Sequence, residues 1–434
     1  MTIAVSTVPN GYACLSIALV AMGLNLHSRM LHWHPRNYSW CDDSMNDSGS
    51  SQRLLGVDAA RLAAILGMFA AHVFALYEIS GAPAYSPTFT GAVASGRASV
   101  LFMVLAGLSL CLLSKSLARK GFSHPKVYSV LVLRALIIAV LGMAIGSINE
   151  AIAVILVHYG LLFLLLPLAL KLSRITIWVV SALWLLLMPA LWRPLAGSWM
   201  GNALGHNPSF DDLLAPQLLL KDLVVTGYYP LMIWFGFGLL GIAIGRCNLH
   251  STRTAGLLAA AGTLIAAATY AAGHLVSMKN AAIIARELDL DLSLVPTMIT
   301  TGRLPGTNLD PFLDNPAYLW LPTGHSNSLL STLHNAACAA AIIGLLSLII
   351  GRLGVLGRIL AGAGRAPLTL YAGHIILLPA MKENMDPTAI WWILCSATAV
   401  CGIWLGFSRA SGPLEYGVRV LSGADTDPET KMKF

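Results

Sequence analysis

The chain has 434 residues, 56% hydrophobic and 11% charged, with a net charge of +7 and a mean hydropathy of +0.72. A soluble domain carries about 25% charged residues. Apolar runs of about 20 residues recur here instead, which excludes a soluble enzyme and implies an all-α, polytopic transmembrane helix bundle. The positive charge sits in short stretches between those runs, where it orients a membrane protein rather than binding nucleic acid.

Residues 11–26 form a weak apolar stretch, marginal for a span, and no positive residue precedes it as in a signal peptide. A polar segment, His27 to Gln52, follows. Its His32-Trp33-His34 is too sparse to define a metal site. Met45 begins a segment that would make an ordinary cytoplasmic start, so residues 1–44 read either as an eleventh span or as untranslated. The main domain is expected over 53–420 and a cytoplasmic tail over 421–434. Its spans fall at about 57–77, 97–114, 128–148, 151–170, 175–192, 226–245, 254–276, 327–350, 366–381 and 389–407. The segment 79–96, rich in Gly, Pro, Ser and Thr, reads as a loop. The two longest polar segments are 193–221 and 277–325. Lys115, Arg119, Lys120, Lys126, Lys171, Arg174, Arg246, Arg253, Arg352, Arg358 and Arg365 all fall on one side. That asymmetry predicts about ten spans in a cell membrane, with both ends of the domain cytoplasmic. The seven cysteines show neither metal-site spacing nor a disulfide framework.

Ionisable groups inside a membrane are functional candidates, and the first span carries three. Asp58 and Arg61 are three apart on one helix face. His72 lies eleven residues beyond Arg61, three turns plus about 20°, so it shares that face at a rise of roughly 16 Å. The Asp58–Arg61 pair also reads as a structural ion pair at the interface. Further histidines fall in or beside spans: His158, His325, His334 and His374. His158 and His334 read first as packing residues that bond a neighbouring carbonyl or helix. Arg97 opens the second span, and Arg134 is near enough to the cytoplasm to snorkel. Tyr228 and Tyr229 open the sixth span, as interface anchors or as a stacking surface for a sugar. Arg365 precedes Pro367 at a helix start, where a helix N-terminus and a guanidinium would suit a phosphate. No Walker loop, Rossmann fingerprint or zinc spacing is present.

Asp-x-x-Arg followed by a histidine eleven residues on, at the head of about ten spans, resembles the transmembrane acyltransferases. The chain is most similar to bacterial members of the heparan-α-glucosaminide N-acetyltransferase-like branch, which is related to the acyltransferase-3 type. The stretches that carry this are Gly96-Arg97-Ala98-Ser99, His158-Tyr159-Gly160-Leu161-Leu162-Phe163, Thr226-Gly227-Tyr228-Tyr229-Pro230, Gly324-His325-Ser326, Leu368-Thr369-Leu370-Tyr371 and Gly412-Pro413-Leu414-Glu415. The resemblance implies acetyl-CoA as cytoplasmic co-substrate, no metal, and a sugar or glycolipid acceptor on the outer face. It implies Asp58, Arg61 and Arg365 at the donor. It implies His72 or His325 as base, Arg97 or Tyr228 for the oxyanion, and Tyr228, Tyr229, His158 and His374 at the substrate. Eukaryotic members place a catalytic histidine in the loop after the first span; residues 78–96 contain none. A transporter or flippase of a cell-envelope precursor is the alternative from another class, and a homodimer is left open.

Overall fold

The structure is a computed structural model that describes residues 54–81, 84–148, 152–408 and 410–424. The expected N-terminal extension, residues 1–52, and the end of the tail, 425–434, lie outside the described residues. In chain order the helices are α1 (Leu55–Val73), α2 (Phe89–Val93), α3 (Arg97–Arg119), α4 (His124–Gly146), α5 (Leu156–Leu165), α6 (Arg174–Trp199), α7 (Pro216–Lys221), α8 (Leu231–Gly245), α9 (Thr252–Lys279), α10 (Ala281–Glu287), α11 (Val295–Thr301), α12 (Leu329–Ile349), α13 (Gly354–Ala363), α14 (Pro367–Asn384), α15 (Pro387–Phe407) and α16 (Pro413–Leu421). Two antiparallel hairpins, β1–β2 (Tyr77–Gly81, Ala84–Pro87) and β3–β4 (Arg303–Leu304, Thr307–Asn308), are the only sheet among the described residues.

Among the described residues, length and composition support seven spans: α1, α2–α3, α4, α6, α9, α12–α13 and α15. An eighth is α7 with α8, if that pair, bent by 58°, counts as one span. This is fewer than the ten expected. Helix α5 stops after ten residues and continues only as a 3-10 turn, Leu166–Lys171, opened by Pro167, a residue that cannot sit inside a helix without breaking its ladder. Helix α14 carries Pro379 within it and Lys382 and Glu383 in its last turn.

Helix α1 is central, packing against α3, α12, α13, α14 and α15. Lipid offers helices no hydrophobic drive to associate, so close backbone approach at small residues takes its place. A Cβ on Gly56 would fall 2.4 Å from the Ser347 backbone, and one on Gly67 2.8 Å from Ala98. The same device joins α3 to α8, where a Cβ on Gly107 would fall 2.0 Å from the Gly238 carbonyl.

Helix α1 ends at Val73 rather than Tyr77, because Phe74 is already extended and leads into β1. The segment read as a loop is therefore folded. The Thr88 hydroxyl donates to the Ala75 carbonyl (2.7 Å) and accepts from Gly91 N–H (3.1 Å), which caps α2. Thr297 Oγ1 donates to the Tyr85 carbonyl (2.6 Å) and ties the hairpin to α11. The 321–328 turn is pinned in the same way: Tyr318 Oη donates to Ser326 O (2.7 Å), Thr323 Oγ1 to Ile299 O and Ser328 Oγ to Leu321 O. Within it His325 and Asn327 have φ of 62° and 56°, a left-handed conformation that side chains rarely adopt outside constrained sites.

Candidate active site

One small cavity is lined by His72 and Met68 of α1, Ala94, Gly96, Ala98 and Ser99 at the start of α3, Tyr229, His325 and Tyr371. Five separate parts of the chain meet there. The meeting depends on two glycines: a Cβ on Gly324 would fall 2.5 Å from the Ser95 carbonyl oxygen, and one on Gly96 2.7 Å from the Gly324 Cα. Only without side chains do the two backbones approach closely enough to set His325 opposite His72.

His72 is held by a second histidine. His374 Nδ1 lies 3.3 Å from the Leu370 carbonyl oxygen, which can only accept, so Nδ1 carries the proton. Nε2 of His374 then has the lone pair and accepts from His72 Nδ1–H at 3.0 Å. The two rings lie 8° from parallel. In the neutral pair this leaves His72 Nε2 as a basic nitrogen. A second-shell hydrogen bond selects the tautomer of a functional histidine in this way. His374, read from sequence as a substrate contact, thus reaches the cavity through His72. Tyr371, one turn before His374, lines the cavity itself. Its oxygen accepts from Ile155 N–H (3.1 Å), which leaves the phenolic proton available to donate.

His325 packs against Trp234 (6.3 Å between centroids, 15° from parallel) and meets Tyr229 edge-on at 5.9 Å. Trp234 Nε1 donates to Asn327 Oδ1 (3.1 Å), fixing the same turn. Burial and the Arg303 guanidinium push His325 down to about 4, so it is neutral at physiological pH. Tyr229 is buried and lines the cavity; its neighbour Tyr228 is half exposed and does not.

Arg97 is not at this site. Its Nε donates to His334 Nε2 (3.0 Å), while His334 Nδ1–H donates to the Ala266 carbonyl (2.9 Å). Both nitrogens of His334 are spent, and the Arg97 guanidinium lies over the Tyr270 ring at 5.8 Å. The oxyanion role expected of Arg97 has no geometric support, because the residues on either side of it, Gly96 and Ala98, face the cavity instead.

A second cluster forms around Arg61. Its Nη1 pairs with the Asp58 carboxylate and its Nη2 donates to Ser109 Oγ of α3 (2.8 Å). Arg134 of α4 feels the charges of Arg61, Glu415 and Arg419 and the Tyr159 phenol. Between the two clusters runs a file of rings. Tyr159 lies 5.3 Å from Phe102, Phe102 6.0 Å from Tyr371, and Tyr371 5.3 Å from His374.

Arg365 has a different task from the one expected. Its Nη1 donates to the Leu405 and Ser408 carbonyls and its Nη2 to the Ala410 carbonyl. It thereby satisfies the unpaired end of α15. The N-terminus of α14 beside it already holds an anion. Glu415 Oε1 accepts from the Leu368 and Thr369 N–H groups (2.5 and 3.2 Å), and Oε2 from Thr369 Oγ1 (2.6 Å). A carboxylate 47 residues away in sequence occupies the place proposed for a phosphate. His158 stands apart from His72: it meets Tyr229 edge-on at 5.6 Å, on α5.

The family described as heparan-alpha-glucosaminide N-acetyltransferase, catalytic, matches residues 53–278. The chain belongs to that family. No curated protein matches the sequence. Family membership brings acetyltransferase chemistry to a helical membrane-type bundle. The matched stretch contains Asp58, Arg61, His72, Arg97, His158, Tyr228 and Tyr229. His325, Tyr371 and His374 lie beyond it, so the cavity joins residues of the matched segment to residues that follow it. Among the described residues no group of three His, Cys, Asp or Glu could hold a metal ion.

Proposed function

We propose that the protein transfers an acetyl group from cytoplasmic acetyl-CoA to an amino or hydroxyl group of a sugar or glycolipid on the outer face of a cell membrane. Residues 53–420 form the transferase, with α5 and α14 completing about ten spans. The observation that carries this reading is the His72–His374 hydrogen bond, with its tautomer fixed by the Leu370 carbonyl. It presents a neutral, oriented base in a cavity at the far end of α1 from Arg61.

Arg61, Arg134 and Arg419 meet the CoA phosphates. The pantetheine arm runs along Phe102 and Tyr371 and delivers the thioester to the cavity. His72 Nε2 takes the proton of the acceptor N–H or O–H as the nitrogen or oxygen attacks the thioester carbonyl. The Tyr371 hydroxyl donates to the resulting oxyanion. Collapse breaks the C–S bond, and the leaving sulfur takes the proton back from His72, giving CoA-SH and the acetylated acceptor. His325 and Tyr229 form the acceptor wall.

The test is purified protein in proteoliposomes, with labelled acetyl-CoA on one side and D-glucosamine on the other. N-acetylglucosamine forming across the bilayer, and none in His72→Ala, is the expected result. Full transfer by His72→Ala would refute the assignment of the base. The transporter reading gains one observation, the helix broken between α7 and α8. Transport of the acceptor without acetylation would favour it.

A further inference from the structure

A helix broken inside a membrane bundle frees backbone groups that need polar surroundings, and binding sites form at such breaks. Where α7 leads into α8, residues Asp222–Thr226 wind as a π-helical turn, a geometry that recurs at functional sites. Gly227 ends it, its N–H donating to the Asp222 carbonyl at 2.7 Å. With φ −74° and ψ 174°, this position suits any residue, so glycine is required for space alone. A Cβ there would lie 2.6 Å from Asp222 Oδ2, 2.7 Å from the Asp222 carbonyl oxygen and 3.0 Å from His158 Nε2. Three polar atoms converge beside one bare Cα.

Both side chains are buried, Asp222 to 4% and His158 to 1% exposure. Neither ring nitrogen of His158 has a hydrogen-bond partner among the described residues. The Asp222 carboxylate accepts from the Leu204 backbone and the Thr226 side chain, and no lysine or arginine among the described residues pairs with it. A buried polar group left unmatched is costly, and a carboxylate beside a neutral imidazole offers acceptors and one donor in a confined space. That set suits neighbouring hydroxyl groups on a sugar ring. It repels a phosphate or a carboxylate. His158 touches the edge of Tyr229, and Tyr229 lines the transfer cavity. His158 is therefore separated from His72's cavity by the Tyr229 side chain.

We propose that Asp222 and His158, facing each other across Gly227 at the broken helix, form a subsite for the ring hydroxyls of a carbohydrate acceptor. The inference rests on the acetyl-transfer reading for its acceptor, and adds a residue, Asp222, that the sequence did not single out.

The test compares D-glucosamine with cyclohexylamine, an amine of similar ring size without hydroxyls, by calorimetric titration of the full chain in detergent. Wild type binds glucosamine more tightly. Asp222→Asn, which keeps size and shape, and His158→Phe each lose about tenfold or more of glucosamine affinity, because a site built to bond hydroxyls is left unpaired. Their cyclohexylamine affinity is unchanged, and undiminished acetyl-CoA binding by each variant reports an intact fold. Unchanged glucosamine affinity and acceptor KM in both variants overturns the subsite while leaving acetyl transfer in place. Asp222-dependent glucosamine binding by a wild type that acetylates nothing supports the subsite and removes the transfer reading.

Discussion

Replacing His374 by leucine tests how the site sets up its base. The substitution removes the acceptor for His72 Nδ1–H, 3.0 Å away, in a buried place. It also removes the donor to the Leu370 carbonyl. An unpaired buried donor costs about 1–3 kcal/mol, so the variant unfolds at a lower temperature. The kinetic effect is the more specific. Without His374 the His72 ring is free to take the other tautomer or to rotate, and loss of such an orienting bond in a metal-binding or catalytic histidine costs about 10–100-fold. The loss falls on kcat, since His374 lies behind His72 and not among the residues lining the cavity, and KM for acetyl-CoA stays near wild type. His374→Gln, whose amide oxygen can accept from His72, restores part of the rate. The assay is initial rate of acetyl transfer against both substrates, between pH 5.5 and 8.5. Full kcat in His374→Leu, or equal losses in the leucine and glutamine variants, refutes the orienting role.

Other expectations follow from the same geometry. His325 is depressed to about 4 from its ordinary 6.5, so the folded state binds fewer protons than the unfolded one between these values. Stability is therefore full above about pH 6.5 and falls as the pH drops toward 4, by up to about 3 kcal/mol; His325→Gln flattens this slope in chemical denaturation. Gly324→Ala drives a Cβ against the Ser95 carbonyl, 2.5 Å away; it costs about 1–3 kcal/mol and lowers kcat by displacing His325, read in melting temperature and rate. Glu415→Ala uncaps α14 and costs about 1–2 kcal/mol, a lower melting temperature that Glu415→Gln partly restores.

The first span was legible because apolar length, an Asp–Arg pair and a histidine on one face need only helical geometry. Its end was not. Phe74 to Tyr77 are as apolar as what precedes them, and it is the pairing of Tyr77 with Pro87 that draws them out of the helix. The His72–His374 bond joins residues 302 apart, and no local pattern announces such a partner. A signal for Tyr371 was available: it lies three residues before His374, on the same face of one helix. Arg97 points to His334 because its helix turns Gly96 and Ala98 toward the cavity, a rotation set by tertiary packing such as that of Gly67 on Ala98. At Arg365 the helix start was read correctly, but the anion at its N-terminus comes from Glu415 in the same chain. Asp222 passed as part of a polar segment, because a π-helical turn has no composition of its own.

The most direct measurement is acetyl-CoA binding and acetyl transfer by the purified protein, wild type beside Arg61→Ala and His72→Ala. The account predicts that Arg61→Ala loses donor binding, while His72→Ala binds the donor as wild type does and transfers nothing. Transfer at the wild-type rate by His72→Ala, or no acetyl-CoA binding by folded wild type up to about 1 mM, a binding free energy weaker than about −4 kcal/mol, would contradict it.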